Sequence, residues 1–497
     1  METEKKFFSD NLEENLKKLK DSFSYPTNED FVVRSVHIPS LKKAAALLYV
    51  KGAVDVKRIE ENILTPLFEK DVQKMGESFD RVKELLTVQD LKSSENFSEV
   101  VHLILSGHTA IMIEGSKEVI LAVTPKFAQR SVEQPEIESV IKGPKEAFIE
   151  SLEVNRSLIR KALKSHHLIT EKLLFGKEKR NEVSLMYMGD IVNQELLTKV
   201  RERVLEIEAE HIQNLSILEQ HIEERPYSLV PTVLLTERPD RAVSFLKEGH
   251  IVLLMESSPD CLIVPVTFWS FFHTAEDQYQ RWAFGNLMRI VRLLAFFAAL
   301  LGPAAYIAIT NYHIEVIPTN LLLTVAATRE TVPFPGLFEL IMIEITFDII
   351  RESGLRLPIK MGPVVSLLSA VIISYAAIEA GIVSPVLIAI VGFSSLASFS
   401  IPSNSFNFAV RLARFGFIGL SAMMGFFGIA IGVQMSVAYL ATVKSFDVPF
   451  VSPMAPHYPS SKDMIVRPPV WKQWLRPLNL YPQNRVRGKK PKGGKLS

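Results

Sequence analysis

Cysteine is nearly absent from this sequence, since Cys261 is the only one in 497 residues. A single cysteine excludes an intrachain disulfide and any metal cluster built from several thiolates. Three common catalytic motifs are missing as well: a glycine-rich phosphate loop ending in Gly-Lys-Ser/Thr, a His-Glu-x-x-His zinc motif and a Gly-x-Ser-x-Gly nucleophile turn. We therefore predict no enzyme, no catalytic residue, no cofactor and no bound metal ion.

The N-terminus lacks the apolar core of a secretory signal peptide. Its apolar residues recur instead at the spacing of an amphipathic helix, at Phe8, Leu12, Leu16, Leu19 and Phe23. We predict that residues 1–29 form an amphipathic or flexible leading segment. We also predict that the N-terminal half of the protein stays in the cytosol.

Net charge is close to zero, at +1, which argues against a general nucleic-acid-binding protein. Basic residues are nevertheless concentrated after Ser460, with Asp463 as the only acidic residue: Lys462, Arg467, Lys472, Arg476, Arg485, Arg487, Lys489, Lys490, Lys492 and Lys495. Residues 446–497 are predicted to form a basic polar tail. This tail either lies against anionic lipid, at about 1 kcal/mol per basic group near the surface, or is solvated and disordered.

Up to about Trp282, charged residues recur throughout and short apolar runs alternate with helical patterns. Buried strands are predicted at Lys42–Val50 and Val100–Leu105, and a hairpin at Thr109–Ile113 and Val119–Val123. Helical periodicity covers Val56–Leu86, Phe148–Leu163 and Gln194–Ile222, with further strands at Glu182–Met188, Ile251–Met255 and Cys261–Val266. This alternation favours an α/β head of two subdomains, residues 30–128 and 129–288.

Long apolar runs dominate from Ile290 to Thr442. Four of them have about the length needed to cross a bilayer: Ile290–Tyr312, Pro363–Val383, Ser384–Ile401 and Phe415–Val443. Residues 289–445 are therefore predicted to form a polytopic membrane domain of helices. Small residues let membrane helices approach closely, and the last run supplies five candidates for helix packing: Gly416, Gly419, Gly425, Gly428 and Gly432.

A further helical segment, Gly336–Gly354, carries acidic residues among Leu, Ile, Met and Phe. Glu344, Asp348 and Glu352 are spaced by four residues and share one face of the helix, whereas Glu339 lies apart. Carboxylates at membrane depth often mark ion routes, which makes these three residues candidates for an ion path. The alternative is an amphipathic helix that lies in the membrane interface with its carboxylates in water.

The number of membrane spans depends on this acidic helix. With five spans from a cytosolic N-terminus, Arg351, Arg411 and Arg414 lie on the cytosolic side, as the positive-inside rule prefers, but the basic tail lies outside. With four spans and a non-spanning acidic helix, the tail returns to the cytosol. We favour four spans plus this special helix.

Many motifs along the chain resemble the A subunits of the GerA-type spore germinant receptors. In order they are Arg130–Glu136 (RSVEQPE), Lys142–Glu146 (KGPKE), Thr236–Arg241 (TERPDR), Val264–Trp269 (VPVTFW), Tyr279–Trp282 (YQRW), Pro303–Ala308 (PAAYIA), Arg329–Pro335 (RETVPFP), the acidic helix through Pro358, and Gly381–Pro385 (GIVSP). Lys142 and Lys145 depart mildly from the family pattern, where arginines are expected. The resemblance covers nearly the whole chain, from Ala44 to Trp471.

The resemblance implies a multi-pass protein of the spore inner membrane with its head in the cytosol. It implies partners as well: a transporter-like B subunit that binds the nutrient germinant, a lipoprotein C subunit, further copies of the same chain, and membrane lipid. It also implies an oligomeric cation channel opened by germinant, and rings of carboxylates in a symmetric assembly are one way to favour cations. The germinant and any germinant-binding residue on this chain stay unknown.

Two other functions are compatible with the sequence. The chain could be a non-conducting scaffold, whose head assembles the receptor while its helices anchor the complex. It could also be the related spore-membrane protein, stage V sporulation protein AF. The segment Val264–Phe272 and the acidic helix favour the germinant-receptor branch over that relative.

Overall fold

The structure is a computed structural model. It describes residues 7–39, 43–69, 79–88, 90–127, 142–177, 181–355, 362–458 and 463–488, with three single positions between 128 and 141. The start of the leading segment, most of the Arg130–Glu136 motif, Arg356–Pro358 and the last residues of the basic tail lie outside the described residues.

An antiparallel sheet with helices on both faces forms the first unit of the head. Its elements are α1 Leu12–Ser22, β1 Phe31–Ile38, β2 Lys43–Val50, α2 Val56–Ile59, α3 Thr65–Glu69, α4 Phe79–Leu85, β3 Leu91–Ser94, α5 Phe97–Leu105, β4 His108–Ile113 and β5 Val119–Val123. The strand order is β1-β2-β4-β5-β3. Alternate side chains of a strand point to opposite faces, so Leu48 and Met112 pack under α1 and α5, and Leu47 and Ile111 under α2–α4.

The second unit of the head repeats this arrangement. Its elements are α6 Leu152–Ala162, β6 Leu168–Phe175, β7 Asn181–Met188, α7 Gln194–Leu205, α8 Leu215–Ile222, β8 Leu234–Thr236, α9 Pro239–Leu246, β9 Ile251–Met255 and β10 Cys261–Val264. The strand order, β6-β7-β9-β10-β8, equals that of the first sheet position by position. A buried ion pair joins the two units, with Arg160 Nε 2.6 Å from Asp30 Oδ2.

Most of the elements predicted for the head are present. The hairpin is confirmed, because β4 and β5 pair antiparallel with Ile111 opposite Ile120, and the leading helix is confirmed as α1. The strand predicted at Val100–Leu105 is wrong. These residues belong to α5, where the Asn96 side chain accepts the N–H of Ser98 and caps the helix.

Helices make up most of the remaining chain. They are α10 Glu276–Tyr279, α11 Trp282–Tyr312, α12 Thr319–Glu330, α13 Gly336–Leu355, α14 Gly362–Glu379, α15 Pro385–Ser398 and α16 Asn404–Thr442, followed by the short strands β11 Lys444–Ser445 and β12 Val448–Pro449. Within the described residues, α11 and α16 are the two helices that are long and apolar enough to cross a membrane. α14 and α15 are apolar but shorter.

α16 is a helical hairpin rather than one straight helix. Gly425 has φ 59° and ψ −137°, a conformation that glycine adopts far more readily than other residues, and the chain reverses its direction there. We call residues 404–424 the first arm and residues 426–442 the second arm. The single span predicted at Phe415–Val443 is therefore wrong, because that run contains the reversal.

The open end of the α16 hairpin lies at the head, and the tip of the hairpin lies far from the head. Phe406, near the start of the first arm, stacks on Phe271 with ring centroids 5.3 Å apart. Near the end of the second arm, the Tyr439 hydroxyl donates to or accepts from the hydroxyl of Ser228 at 2.9 Å. At the tip, the Tyr312 hydroxyl donates a 2.6 Å hydrogen bond to a carbonyl of the first arm.

The other helices of the bundle alternate in direction. α13 runs antiparallel to the first arm. α15 runs parallel to α13, because Glu339 near the start of α13 contacts Ser384 before α15, and Arg351 near the end of α13 contacts Ser398 at the end of α15. α14 therefore leads from the end of α13 back to the start of α15. Six segments thus run alternately away from the head and toward it.

The chain leaves the bundle beside the head, and its C-terminal part packs there. We call residues 443–458 and 463–488 the C-terminal strap. The carbonyl of Arg467 accepts hydrogen bonds from Trp282 Nε1 at 2.6 Å and Asn286 Nδ2 at 3.1 Å. The N–H of Gln483 donates to the carbonyl of Ile191 at 2.9 Å. Both sequence alternatives for the tail, lipid-bound and disordered, missed this packing against protein.

Candidate functional site: a charge cluster inside the helical bundle

α13 and the first arm of α16 bring four charged side chains together inside the bundle. The four-residue spacing of Glu344 and Asp348 places them on one face of α13, where Arg411 and Arg414 face them. One nitrogen of Arg414 lies 2.7 Å from Glu344 Oε2, and one nitrogen of Arg411 lies 2.7 Å from Asp348 Oδ1. The side chain of Glu344 is 0% exposed and that of Arg414 is 2% exposed, so this ion pair is fully enclosed.

Enclosure makes the pair of Glu344 and Arg414 costly to break. Removing one partner of a buried ion pair leaves an uncompensated charge, which lowers the free energy of unfolding by about 3–5 kcal/mol. Arg414 also lies 3.8 Å from Asp348, so it bridges both carboxylates. The cluster therefore fastens α13 to the first arm.

The acidic stripe becomes more open toward the head end of α13. Asp348 is 24% exposed, and Glu352 is exposed at the surface of the single chain. Arg351, which borders the stripe, donates a 2.9 Å hydrogen bond to Ser398 Oγ. The structure thus gives each carboxylate a different environment. The ion-path role of Glu344, Asp348 and Glu352 stays a prediction.

Glu339 lies off the stripe, as its spacing predicted, but it is buried. Its side chain is 0% exposed, and Oε1 accepts the backbone N–H of Ser384 at 2.5 Å, directly before α15 begins. Neutralising Glu339 would therefore weaken the entry into α15. Glu339 is unsuitable as a neutral control for tests of the stripe.

Three of the five candidate packing glycines lie where the two arms of the α16 hairpin meet. Gly425 forms the reversal, and Gly428 and Gly432 are buried between the arms. A Cβ at Gly428 would overlap the carbonyl oxygen of Leu420, and a Cβ at Gly432 would lie 2.7 Å from the ring of Phe417. In these two places the close approach of the arms depends on glycine.

The other two candidates have no close neighbours. Gly416 and Gly419 are exposed on the first arm, and a Cβ at either position would meet nothing within 4 Å among the described residues. Their small size is therefore not required for packing within a single chain. Packing of these two glycines against another membrane helix stays a prediction.

A second charge cluster fastens the head to the bundle. Asp277 in α10 is buried and accepts hydrogen bonds from Arg292 Nη1 at 2.8 Å and Arg289 Nε at 3.2 Å. Burial acts to raise the pKa of Asp277. The hydrogen bonds and charge of Arg292, together with the charge of Arg289, nevertheless hold this pKa below its usual value. Arg289 also pairs with Asp463 of the C-terminal strap. Head, first bundle helix and strap are thus joined through Arg289.

The family of the chain follows from its comparison with known proteins. Residues 17–479 match the family described as Bacillus/Clostridium GerA spore germination protein. The chain belongs to the GerA family. This confirms the resemblance drawn from the sequence motifs and places the chain among the spore germination proteins.

GerA-family relatives match this chain over most of their length. Spore germination protein KA of Bacillus subtilis (strain 168) is 35% identical over 464 residues, 93% of this chain and 85% of that protein. Spore germination protein A1 of the same organism is 33% identical over 449 residues, 90% and 91% of the two chains. Spore germination protein GerLA of Bacillus cereus is 30% identical over 484 residues, 97% and 98%.

One solved structure of a GerA-type protein matches about half of this chain. It is the crystal structure of the N-terminal domain of the A subunit of the Bacillus megaterium spore germinant receptor GerK3. It is 25% identical in sequence, with a TM-score of 0.42, and covers 53% of this chain and 97% of that chain.

The TERPDR motif of the GerA-like pattern is part of the scaffold of the second head unit. Arg238 is 1% exposed, pairs with Asp240 at 2.7 Å and donates to the carbonyl of Pro144 at 2.9 Å, which lies in the KGPKE motif. Arg241 pairs with Glu138 at 2.7 Å. Two motifs far apart in sequence are therefore joined by one buried network.

The arginine half of the bundle cluster was not predicted from the sequence. The sequence indicated Arg411 and Arg414 only as positive charges at the cytosolic end of a span. Their three-residue spacing, which puts both on one helix face, matches the acidic stripe and is the signal that could have paired them with Glu344 and Asp348.

Proposed function

We propose that this chain is a membrane-embedded subunit of a nutrient germinant receptor, and that several copies of it form a cation channel that germinant opens. The observation that carries the proposal is the acidic stripe of α13, on a helix that packs within an apolar bundle. Carboxylates in such surroundings are costly and recur in ion pathways. Repeated around a symmetry axis, they would favour cations.

The outer faces of the helices support a location in the spore membrane. They carry large apolar side chains that are more than half exposed: Leu294, Leu367, Ile372, Phe393, Leu412 and Phe427. Soluble monomers rarely expose so large an apolar surface. At 1.5 Å per residue, α11, α13 and the first arm are each about 30 Å long or more, which matches the hydrocarbon core of a bilayer.

Alternating helix directions support six passes. With the head in the cytosol, α11, α14 and the first arm lead outward, and α13, α15 and the second arm lead back. Six passes return the C-terminal strap to the cytosolic side. The conflict between five spans and the positive-inside rule then disappears, because the reversal at Gly425 supplies the missing pass.

Cysteine labelling tests the six-pass arrangement. Cys261 is fully buried, so new cysteines supply the signal. Glu315→Cys, beyond the far end of α11, is expected to react with an impermeant thiol reagent in intact vegetative cells that express the protein. Glu202→Cys in the head and Asn484→Cys in the strap should react only after the membrane is opened. Labelling of Asn484→Cys in intact cells would contradict the sixth pass.

Partners follow from the family resemblance. We propose that the chain works with a transporter-like B subunit, which binds the germinant, with a lipoprotein C subunit, and with further copies of itself. Glu352 is exposed at the surface of the single chain, and we propose that its face of α13 borders an axis shared with other copies. Asp348, partly exposed, lies one helical turn further along the same stripe.

Release of monovalent cations from spores tests the channel. In spores that carry the variant receptor at matched abundance, Glu352→Gln and Asp348→Asn are expected to slow nutrient-triggered release severalfold. The reason is that each substitution removes a negative charge from the stripe, while Gln and Glu differ little in helix propensity.

Glu379→Gln is the matched control for this experiment, because Glu379 is exposed at the far end of α14, off the stripe. Its release is expected to match that of the unaltered receptor. Equal release from all three variants would remove α13 from the ion path.

One observation favours the alternative of a non-conducting scaffold. Glu344 and Asp348 are paired with Arg414 and Arg411 within the same chain, which compensates their charge. In a scaffold, Glu352→Gln would leave cation release unchanged, whereas any variant that breaks the cluster would lower receptor abundance. The channel function therefore predicts slower cation release from Glu352→Gln, and the scaffold function predicts unchanged release.

A further inference from the structure

The segment between α8 and β8 of the second head unit contacts the end of the second arm of α16. The N–H of Leu229 donates a 2.9 Å hydrogen bond to the hydroxyl of Tyr439. Nη1 of Arg225 donates a 3.2 Å hydrogen bond to Oγ1 of Thr442, the last residue of the helix. We call residues 225–229 the base turn. These hydrogen bonds fix the level of the base turn relative to the helices of the bundle.

Local sequence determines the shape of the base turn. The N–H of Ser228 donates to the carbonyl of Arg225 at 2.8 Å, which closes a turn with Pro226 at its second position. Proline favours this position because its ring holds φ in the range that the turn requires. Tyr227 comes next, and its side chain is fully exposed, at 102%. The ring of Tyr227 therefore adds nothing to the packing of the single chain.

The depth of the base turn follows from the length of the second arm. At the tip of the hairpin, the ring of Phe426 lies 5.0 Å from that of His313, two residues before the exposed Glu315 that marks the far surface. Residues 426–442 rise about 25 Å, and Tyr439 lies about 21 Å from the reversal at Gly425. The hydrocarbon core of a bilayer is about 30 Å thick, and a tilt shortens the rise of a helix further. In the six-pass arrangement, the second arm is therefore shorter than the core that it crosses.

The exposed apolar surface of the second arm continues onto the base turn. Met435 and Val437, within about one turn of Tyr439, are mostly exposed. Leu229 is exposed as well, beside Tyr439 and two residues after Tyr227. Tyrosine is enriched at membrane–water interfaces because its ring is apolar and its hydroxyl is polar. The basic residue of the turn carries the charge that anionic lipid headgroups attract.

We propose that the base turn is a lipid anchor of the head. Tyr227 and Leu229 enter the headgroup layer of the cytosolic leaflet, and the guanidinium of Arg225 contacts lipid phosphate. The partner is the bilayer itself. This inference rests on the six-pass arrangement, because the depth of the turn is measured along the second arm. The head then meets the membrane beside the last pass, in addition to its attachment to α11 through Asp277.

Spin-label accessibility tests the lipid anchor in the full-length protein, reconstituted into vesicles of phosphatidylcholine and phosphatidylglycerol. Tyr227→Cys and, separately, Leu229→Cys carry the nitroxide, and the unaltered protein supplies the background of the buried Cys261. Oxygen concentrates in lipid and a nickel chelate in water, so the ratio of their collision rates reports what surrounds the label. Both labels are expected to give a ratio severalfold higher than Glu202→Cys, the control on the exposed face of α7.

Val437→Cys separates failure of the lipid anchor from failure of the six-pass arrangement, because Val437 is exposed on the second arm itself. A water-like ratio at Val437→Cys would overturn the six-pass arrangement and the anchor with it. A lipid-like ratio there, with water-like ratios at both labels of the base turn, would overturn the anchor alone. Low collision rates with both oxygen and chelate at the base turn would also overturn it, because protein rather than lipid would then cover the turn.

Discussion

Gly428→Ala is expected to prevent the α16 hairpin from closing and to remove most of the folded protein from the membrane. The new methyl group would overlap the carbonyl oxygen of Leu420 on the opposite arm. Backbone atoms cannot move aside as a flexible side chain can, so the cost exceeds the usual 1–3 kcal/mol of an overpacked core. That is a large share of the roughly 5–15 kcal/mol that stabilises a typical protein.

Receptor abundance in membranes, together with Tm in detergent, measures the effect of Gly428→Ala. Gly419→Ala, on the exposed face of the first arm, is the matched control, because its methyl group would enter open space. Its abundance and Tm are expected to equal those of the unaltered protein. Normal abundance of Gly428→Ala would show that the two arms do not meet in the membrane.

Gly425→Leu is expected to act through a different cause in the same hairpin. Its φ of 59° is strained for any residue with a Cβ, at about 1–3 kcal/mol, and its Cβ would lie 3.0 Å from that of Tyr312. The sequence suggested this glycine for helix packing. The structure assigns it to a reversal, which hydropathy cannot show, because an apolar run carries no information about the direction of the chain within it.

Local patterns were the most predictable part of the fold. The hairpin of β4 and β5 followed from two apolar runs around a turn, and the acidic helix was predicted almost to its ends, at Gly336–Gly354 against Gly336–Leu355. The run at Val100–Leu105 was too short for its periodicity to separate a strand from a helix. There, the capping residue Asn96 carried the better signal.

Long-range features of the fold could not be predicted from the sequence, for a physical reason. The equal strand order of the two sheets is a property of pairing between segments distant in sequence, and side-chain patterns within each strand do not report it. The strap was missed for the same reason. Its basic residues indicated a tail that lies in solvent or on lipid. In the structure, Arg476 Nε donates a hydrogen bond to the carbonyl of Lys247 at 2.9 Å.

Glu344→Gln alone is expected to lower the free energy of unfolding by about 3–5 kcal/mol, because it leaves the guanidinium of Arg414 enclosed with a weakened partner. Receptor abundance should fall, and cation release should fall with it. Loss of release in this variant therefore says little about the ion path. A fair test of Glu344 must remove the arginine charge at the same time.

The double variant Glu344→Met with Arg414→Met provides that test. Replacing both members of a buried ion pair by apolar residues of similar size is often neutral or stabilising, whereas removing one member is not. We expect each single substitution to lower Tm and abundance, and the double variant to restore both. The difference between the double effect and the sum of the single effects measures the coupling of the pair.

Cation release from spores of the double variant then assigns the role of Glu344. Its side chain is 0% exposed, so we expect its charge to act through Arg414 rather than on passing ions. Release should therefore recover together with abundance, while Glu352→Gln still slows it. Recovery of abundance without recovery of release would mean that the carboxylate of Glu344 itself is needed by the ion, and that Arg414 releases it when the channel opens.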